Sequence, residues 1–346
     1  EYQEAKEYGI KTKINLIGPL TFLALSKRVD RKDTFELLNK ILPIYEELLE
    51  EIAKLDEDIT VQIDEPIFAK DNAVKVLSLI KPTYDRLSNV SNNLKIIVTT
   101  YFEHSNEATK ILVHTPIWGI GLDFLYGEKN FESIELIAKS DKKLIAGLVD
   151  GRNIWKNNIQ NTLELLVLIS KTINKENMII SSSCSLLHTP FTLKYEKAMD
   201  ENIKSWLSYA VEKLDEVNII SKIFFKGVSS LNDKENRIYE ENIQANYSRK
   251  TSEIIHDKAV QNRVHKFSKT QRDGKYEDRI KLQKEILKYK DLATTTIGSF
   301  PQTPEIRVAR RNYKNDEISR NEYETKMKNY IDDCISFQEE CGIEIL

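Results

Sequence analysis

KLIAGLVDG, residues 143–151, is short, β-rich and nearly continuous in apolar residues until it stops at Asp150 and Gly151, with Arg152 and Asn153 next. Such a run reads as a strand buried on both faces that ends in a polar turn. Working outward, five more short β-rich runs end in polar or small residues, several of them also nearly continuous in apolar residues: KINLIG (13–18), TVQID (60–64), KIIVTTY (95–101), IWGIGLD (117–123) and MIISSSC (178–184). Helix candidates lie between them at about 34–56, 71–88, 105–113, 129–139 and 157–173, with 200–225 after the last. Six β-then-α units in series predict a parallel sheet with crossover helices.

An open doubly wound sheet and a closed barrel both satisfy that series. No GxGxxG or GxxxxGK[ST] follows the first strand, which removes the usual reason for an open nucleotide-binding sheet. Polar residues sit at nearly every strand's carboxyl end: Asp64 and Glu65, Thr100 and Tyr101, Asp123, Asp150 with Arg152 and Asn153, then Ser182, Ser183 and Cys184. A (β/α)₈ barrel collects its working residues in this way. The fold expected is therefore α/β, a TIM (β/α)₈ barrel that is incomplete at about six units. EYQEAKEYGIK (1–11) reads as a helix tail and GIEIL (342–346) as the start of a new strand, so both termini are expected to fall inside a fold.

From 229 to 291 the strand pattern gives way to charged, helix-compatible sequence, expected as a solvated helical linker. LATTTIGSFPQTPEIRVARR then opens a fresh strand, loop and helix, and a helix follows at about 319–341. The expected domains are 1–228, a truncated barrel; 229–291, the linker; and 292–346, the start of a second barrel.

Composition narrows the function classes. Fifty-one basic against 54 acidic side chains give a net charge of −3, and the cations are scattered, so nothing asks for nucleic acid. No apolar run approaches the roughly 20 residues that span a bilayer, and no membrane partner is expected. Three cysteines without a CxxC pair suit a reduced, cytoplasmic compartment.

Asp64 and Glu65 are adjacent on a strand and should face opposite sides, which disfavours a paired-carboxylate catalyst; one of them is expected to anchor the following loop. Asp150 to Asn153 should form a turn in which Gly151 can take positive φ and Asn153 can cap a helix near Ile154, with an anion-binding role for Arg152 left open. Cys184 and His188 lack companions at zinc-ligand spacing, and Cys334 and Cys341 lie seven apart on one helix face, so no metal site is expected in this chain. At Ile297, Gly298 and Ser299, a strand of threonines ends in a turn whose backbone amide and hydroxyl can hold an amino-acid carboxylate.

INLIGPLTFLALSK (14–27), ILPIYEELLEEIAKL (41–55), VQIDEPIF (61–68), TTYF (99–102), AGLVDGRNIW (146–155), SSSCSLLHTPFTL (181–193), IKSWLSYAVEKLDEV (203–217) and TTTIGSFPQTPEIRVAR (294–310), taken in order, resemble cobalamin-independent methionine synthase. That family has two face-to-face barrels and transfers a methyl group from 5-methyltetrahydropteroyltriglutamate to homocysteine. The resemblance implies that Ile297, Gly298 and Ser299 contact homocysteine. It also implies that the zinc ligands and the proton-donating histidine belong to later sequence absent here, so no catalytic residue lies in this chain and the chain alone should be inactive. Two alternatives stay open: a noncatalytic barrel serving as a binding or interaction module, and a different barrel enzyme that uses Asp64, Glu65 and Arg152.

Overall fold

The structure, a computed structural model, describes residues 1–71, 74–268 and 271–346. Residues 72 and 73 of the helix expected at 71–88, and 269 and 270 of the expected linker, lie outside the described residues. The chain divides into two units, Glu1–Asp257 and Lys258–Leu346, so the division falls inside the span expected as linker.

In the first unit the six runs become β1 (Ile14–Ile17), β2 (Ile59–Asp64), β3 (Leu94–Thr99), β4 (Gly119–Asp123), β5 (Lys143–Val149) and β6 (Met178–Ser182). All neighbours pair parallel, and the spatial order is the chain order, β1 to β6. A doubly wound sheet needs a reversal of order; a barrel wall does not. The six strands are thus an arc of a (β/α)-barrel wall.

The outer face of the arc is apolar. Ile59, Val61 and Ile63, then Ile96 and Val98, Ile120, Leu144 and Ala146, and Met178 and Ile180 join one core with the covering helices. Leu38–Ala53 contributes Leu38, Leu42, Tyr45, Leu49 and Ile52, a stripe at helical spacing, because positions three or four apart share one face. Only β4 and β5 are buried nearly throughout; β1 and β2 alternate. Two-face burial thus holds for some of the runs and not for β1 and β2: residues 13, 15, 62 and 64 line a polar cleft on the inner face, where they bond one another.

The expected linker is helical, but its first helix is not a solvated one. Asp233–Thr251 opens with a capping box between Asn232 and Glu235 and buries Asn242 and Ala245 in the first unit. Asn242 Nδ2 donates to the Asn157 carbonyl (2.8 Å), and Trp206 Nε1 donates to Ser248 Oγ (2.8 Å). A seam of buried amides explains the low apolar content that made the segment read as solvated.

In the second unit, Lys258–Lys266 and Tyr276–Leu287 bury no residue, whereas Pro304–Lys314 and Arg320–Glu340 pack together over Ile306 and Ala309. Thr295 bridges Ile345 in parallel, so the expected strands at 294–297 and 342–346 are reduced to one bridge. No helix among the described residues is long and apolar enough to cross a membrane.

Candidate functional site

The inner face of the arc carries a cavity of about 210 Å³ lined by Lys13, Asn15, Gln62, Asp64, Thr99 and Tyr101 and closed by Ser181 to Ser185. Spacing of two along a strand puts residues on one face, so Lys13 with Asn15, and Gln62 with Asp64, stand side by side. Lys13 donates to Gln62; Gln62 Nε2 donates to Asp64 Oδ1 (2.7 Å) and Asn15 Nδ2 to Asp64 Oδ2 (3.1 Å). Loss of solvent raises the Asp64 carboxyl above its ordinary range, against the opposing pull of Gln62 and Lys13.

Glu65 faces the other way, as adjacency on a strand requires, and is fully buried. Its Oε1 accepts from the Leu20 amide (3.1 Å) and the Tyr84 hydroxyl (2.8 Å), its Oε2 from the Thr21 amide (2.6 Å) and hydroxyl (2.5 Å). The carboxylate caps the helix Pro19–Leu25, which has no side-chain cap of its own. Gly18 is required there: a Cβ would lie 2.1 Å from the Glu65 carboxyl carbon. Burial pushes Glu65 up to about 7. It anchors structure and does not pair with Asp64.

At the strand ends one buried carboxylate organises two loops. Asp123 Oδ1 accepts from the amides of Leu125 (2.8 Å) and Tyr126 (3.0 Å), and its Oδ2 from the amide of Phe102 (3.2 Å). Phe102 has φ 82°, a left-handed conformation rare for a bulky side chain. Asp150 Oδ1 accepts from the Arg152 amide (2.8 Å), and its Oδ2 from the Tyr126 hydroxyl (2.9 Å) and from Asn153 Nδ2 (2.5 Å). The Arg152 guanidinium lies 4.9 Å from the Phe102 ring and 5.0 Å from the Tyr126 ring.

Several local expectations change. Gly151 has no positive φ; it is needed because a Cβ would meet the Cys184 carbonyl at 2.7 Å. Asn153 caps no helix: the next one, Ile159–Ser170, is capped by Asn158. Cys184 is buried, its thiol pushed up to about 11, and the His188 ring stands against Phe102 at 5.5 Å. Among the described residues no three His, Cys, Asp or Glu side chains come together as a metal site.

Ile297 is fully exposed, Gly298 has open space around it, and neither it nor Ser299 lies in a strand. Gly298 does not take positive φ, and the space around it leaves room for a close approach. Phe102 and Tyr126 were missed as site residues, as were Lys13, Asn15 and Gln62 of the polar row that Asp64 completes. Alternation in K13-x-N15 and Q62-x-D64 could have found the row; nothing in TTYF signals the strained Phe102.

Residues 1–174 match the family model described as cobalamin-independent synthase, N-terminal domain, and residues 292–346 match the one described as cobalamin-independent synthase, catalytic domain. The whole chain aligns at 52% identity with a 5-methyltetrahydropteroyltriglutamate–homocysteine methyltransferase of Desulforamulus reducens, covering 45% of that protein. It aligns at 38% identity with one of Catharanthus roseus, again over 45% of the relative. A solved B12-independent methionine synthase from a Shewanella species superposes with TM-score 0.49 at 16% identity, over 66% of this chain and 67% of that one. The chain therefore spans less than half the length of the curated relatives it matches. With the N-terminal family model covering half of its residues and the catalytic one following in order, the chain belongs to the cobalamin-independent methionine synthase family.

Proposed function

We propose that the chain supplies part of a methyltransferase that moves a methyl group from 5-methyltetrahydropteroyltriglutamate to homocysteine, yielding methionine. The observation that carries this reading is the ordered match of both family models to one chain, N-terminal at 1–174 and catalytic at 292–346. In this reading residues 1–228 form the first barrel, 229–291 connect it, and 292–346 open the catalytic barrel. Ile297, Gly298 and Ser299 contact homocysteine, the Ser299 hydroxyl and backbone amides binding its carboxylate or ammonium. The open space around Gly298 suits the approach of a ligand to backbone.

Zinc, when bound in the family, holds the homocysteine sulfur as a thiolate. The described residues do not fit it: Cys184 is buried with a raised pKa, and no cluster of donors surrounds it, Cys334 or Cys341. The chain alone is accordingly expected to be inactive and to take up no stoichiometric zinc. Its free cysteines suit a reduced compartment such as the cytoplasm.

The test is an assay of methionine formation from both substrates with zinc present. This chain should give no turnover, and a chain extended to the relatives' length should. Turnover by the chain alone would overturn its inactivity; no turnover by the folded extended chain would overturn the function.

A further inference from the structure

The Arg152 guanidinium lies 4.9 Å from the Phe102 ring and 5.0 Å from the Tyr126 ring, on two loops that share their anchors. Phe102 and Tyr126 both hang from Asp123, and the Arg152 amide and Tyr126 hydroxyl both bond Asp150. Both rings are within cation–π range of the guanidinium, and among the described residues no hydrogen bond or ion pair engages its N–H groups. Asp150 is the nearest acid on the same turn, and four donors already engage it: the amides of Arg152 and Asn153, the Asn153 side chain and the Tyr126 hydroxyl.

Phe102 also lines a second cavity, of about 300 Å³, walled almost entirely by carbon from Leu25, Pro66, Ile67, Ala69 and Phe102. That volume is at the lower end for small-molecule sites, enough for one ring. Lys70 and Glu103 stand at its edge, Glu103 bonded to His104. A guanidinium fork is the usual partner of a planar carboxylate.

We propose that this strand-end surface is a binding site for an aryl carboxylate, whose ring enters the carbon-lined cavity beside Phe102 and whose carboxylate pairs with the N–H edge of Arg152. Phe102, whose backbone is left-handed, is the residue shared by the cavity and the cation contact. The site is independent of methyl transfer and lies wholly within residues 1–257.

Titration of the 346-residue chain, followed by calorimetry and by ligand-observed NMR, tests it with benzoate, benzyl alcohol and inorganic phosphate at constant ionic strength. Benzoate should bind saturably and phosphate should not displace it. Benzyl alcohol, and benzoate with Arg152→Gln, should bind about ten- to a hundredfold more weakly, the scale of a lost charged hydrogen bond. Arg152→Lys should recover only part, because a point charge lacks the planar fork. Leu25→Trp, which fills the cavity, should also weaken benzoate without altering the far-ultraviolet circular dichroism. No saturable benzoate binding by the folded chain, or unchanged affinity in Arg152→Gln or Leu25→Trp, would overturn the proposal. Phosphate binding as tightly as benzoate would overturn its aryl part.

Discussion

Glu65 shows how one residue can be read half correctly. Its adjacency to Asp64 predicts opposite faces, and the structure bears this out; the four donors that converge on it come from residues 20, 21 and 84 and leave no local trace. Glu65 and the buried Glu216 both have folded-state values of about 7, each raised first by burial. A raised carboxyl value means that the folded state keeps its proton longer than the unfolded chain. Stability should therefore fall as pH rises from about 4.5 to about 7, because the native state binds more protons across that window. Urea titrations at several pH values check this; Glu65→Gln and Glu216→Gln should each flatten the slope, and a rise in stability across the window would contradict it. Glu65→Gln should also cost roughly 1–3 kcal/mol per donor it leaves unpaired. At the second unit, Ser299→Ala in a chain of the relatives' length should weaken homocysteine binding about ten- to a hundredfold, measurable by calorimetry.

At the scale of elements, a helix can depend on a residue far along the chain. Pro19–Leu25 begins at Gly18 without a side-chain cap of its own, and Glu65, at the end of β2, fills the space a Gly18 side chain would occupy. Gly18→Ala should cost about 1–3 kcal/mol in a urea melt, the usual cost of overpacking, with the loss concentrated in amide protection of residues 19–25. The helix Asp233–Thr251 is the second case. Its polar seam makes Asn242→Ala a test of docking: about 1–3 kcal/mol should be lost from the first unit, since the buried Asn157 carbonyl loses a donor. An effect within error would mean that the helix is the solvated linker its composition suggests.

For the whole molecule, the arc has two sheet edges among the described residues, β1 and β6. Exposed apolar residues stand on both, Ile17 and Ile179. Unpaired strand edges are templates for further pairing. Sedimentation of the purified chain should show association that grows with concentration, and a monomer over a hundredfold range would argue that the edges are protected.

The sequence by itself determined the six strands of the first unit, their parallel sense and the helices between them. Those features rest on local periodicity, which a chain carries wherever it folds, and the ordered motifs determined the family. It did not determine which strand faces would be buried, because that depends on whether an opposing wall exists. Only the tertiary structure decided that Glu65 is a cap, that Asp233–Thr251 belongs to the first unit and that Phe102, Tyr126 and Arg152 form one clamp. Each of these joins residues from separate loops or elements, through hydrogen bonds and cation–ring contacts that have no period along the chain.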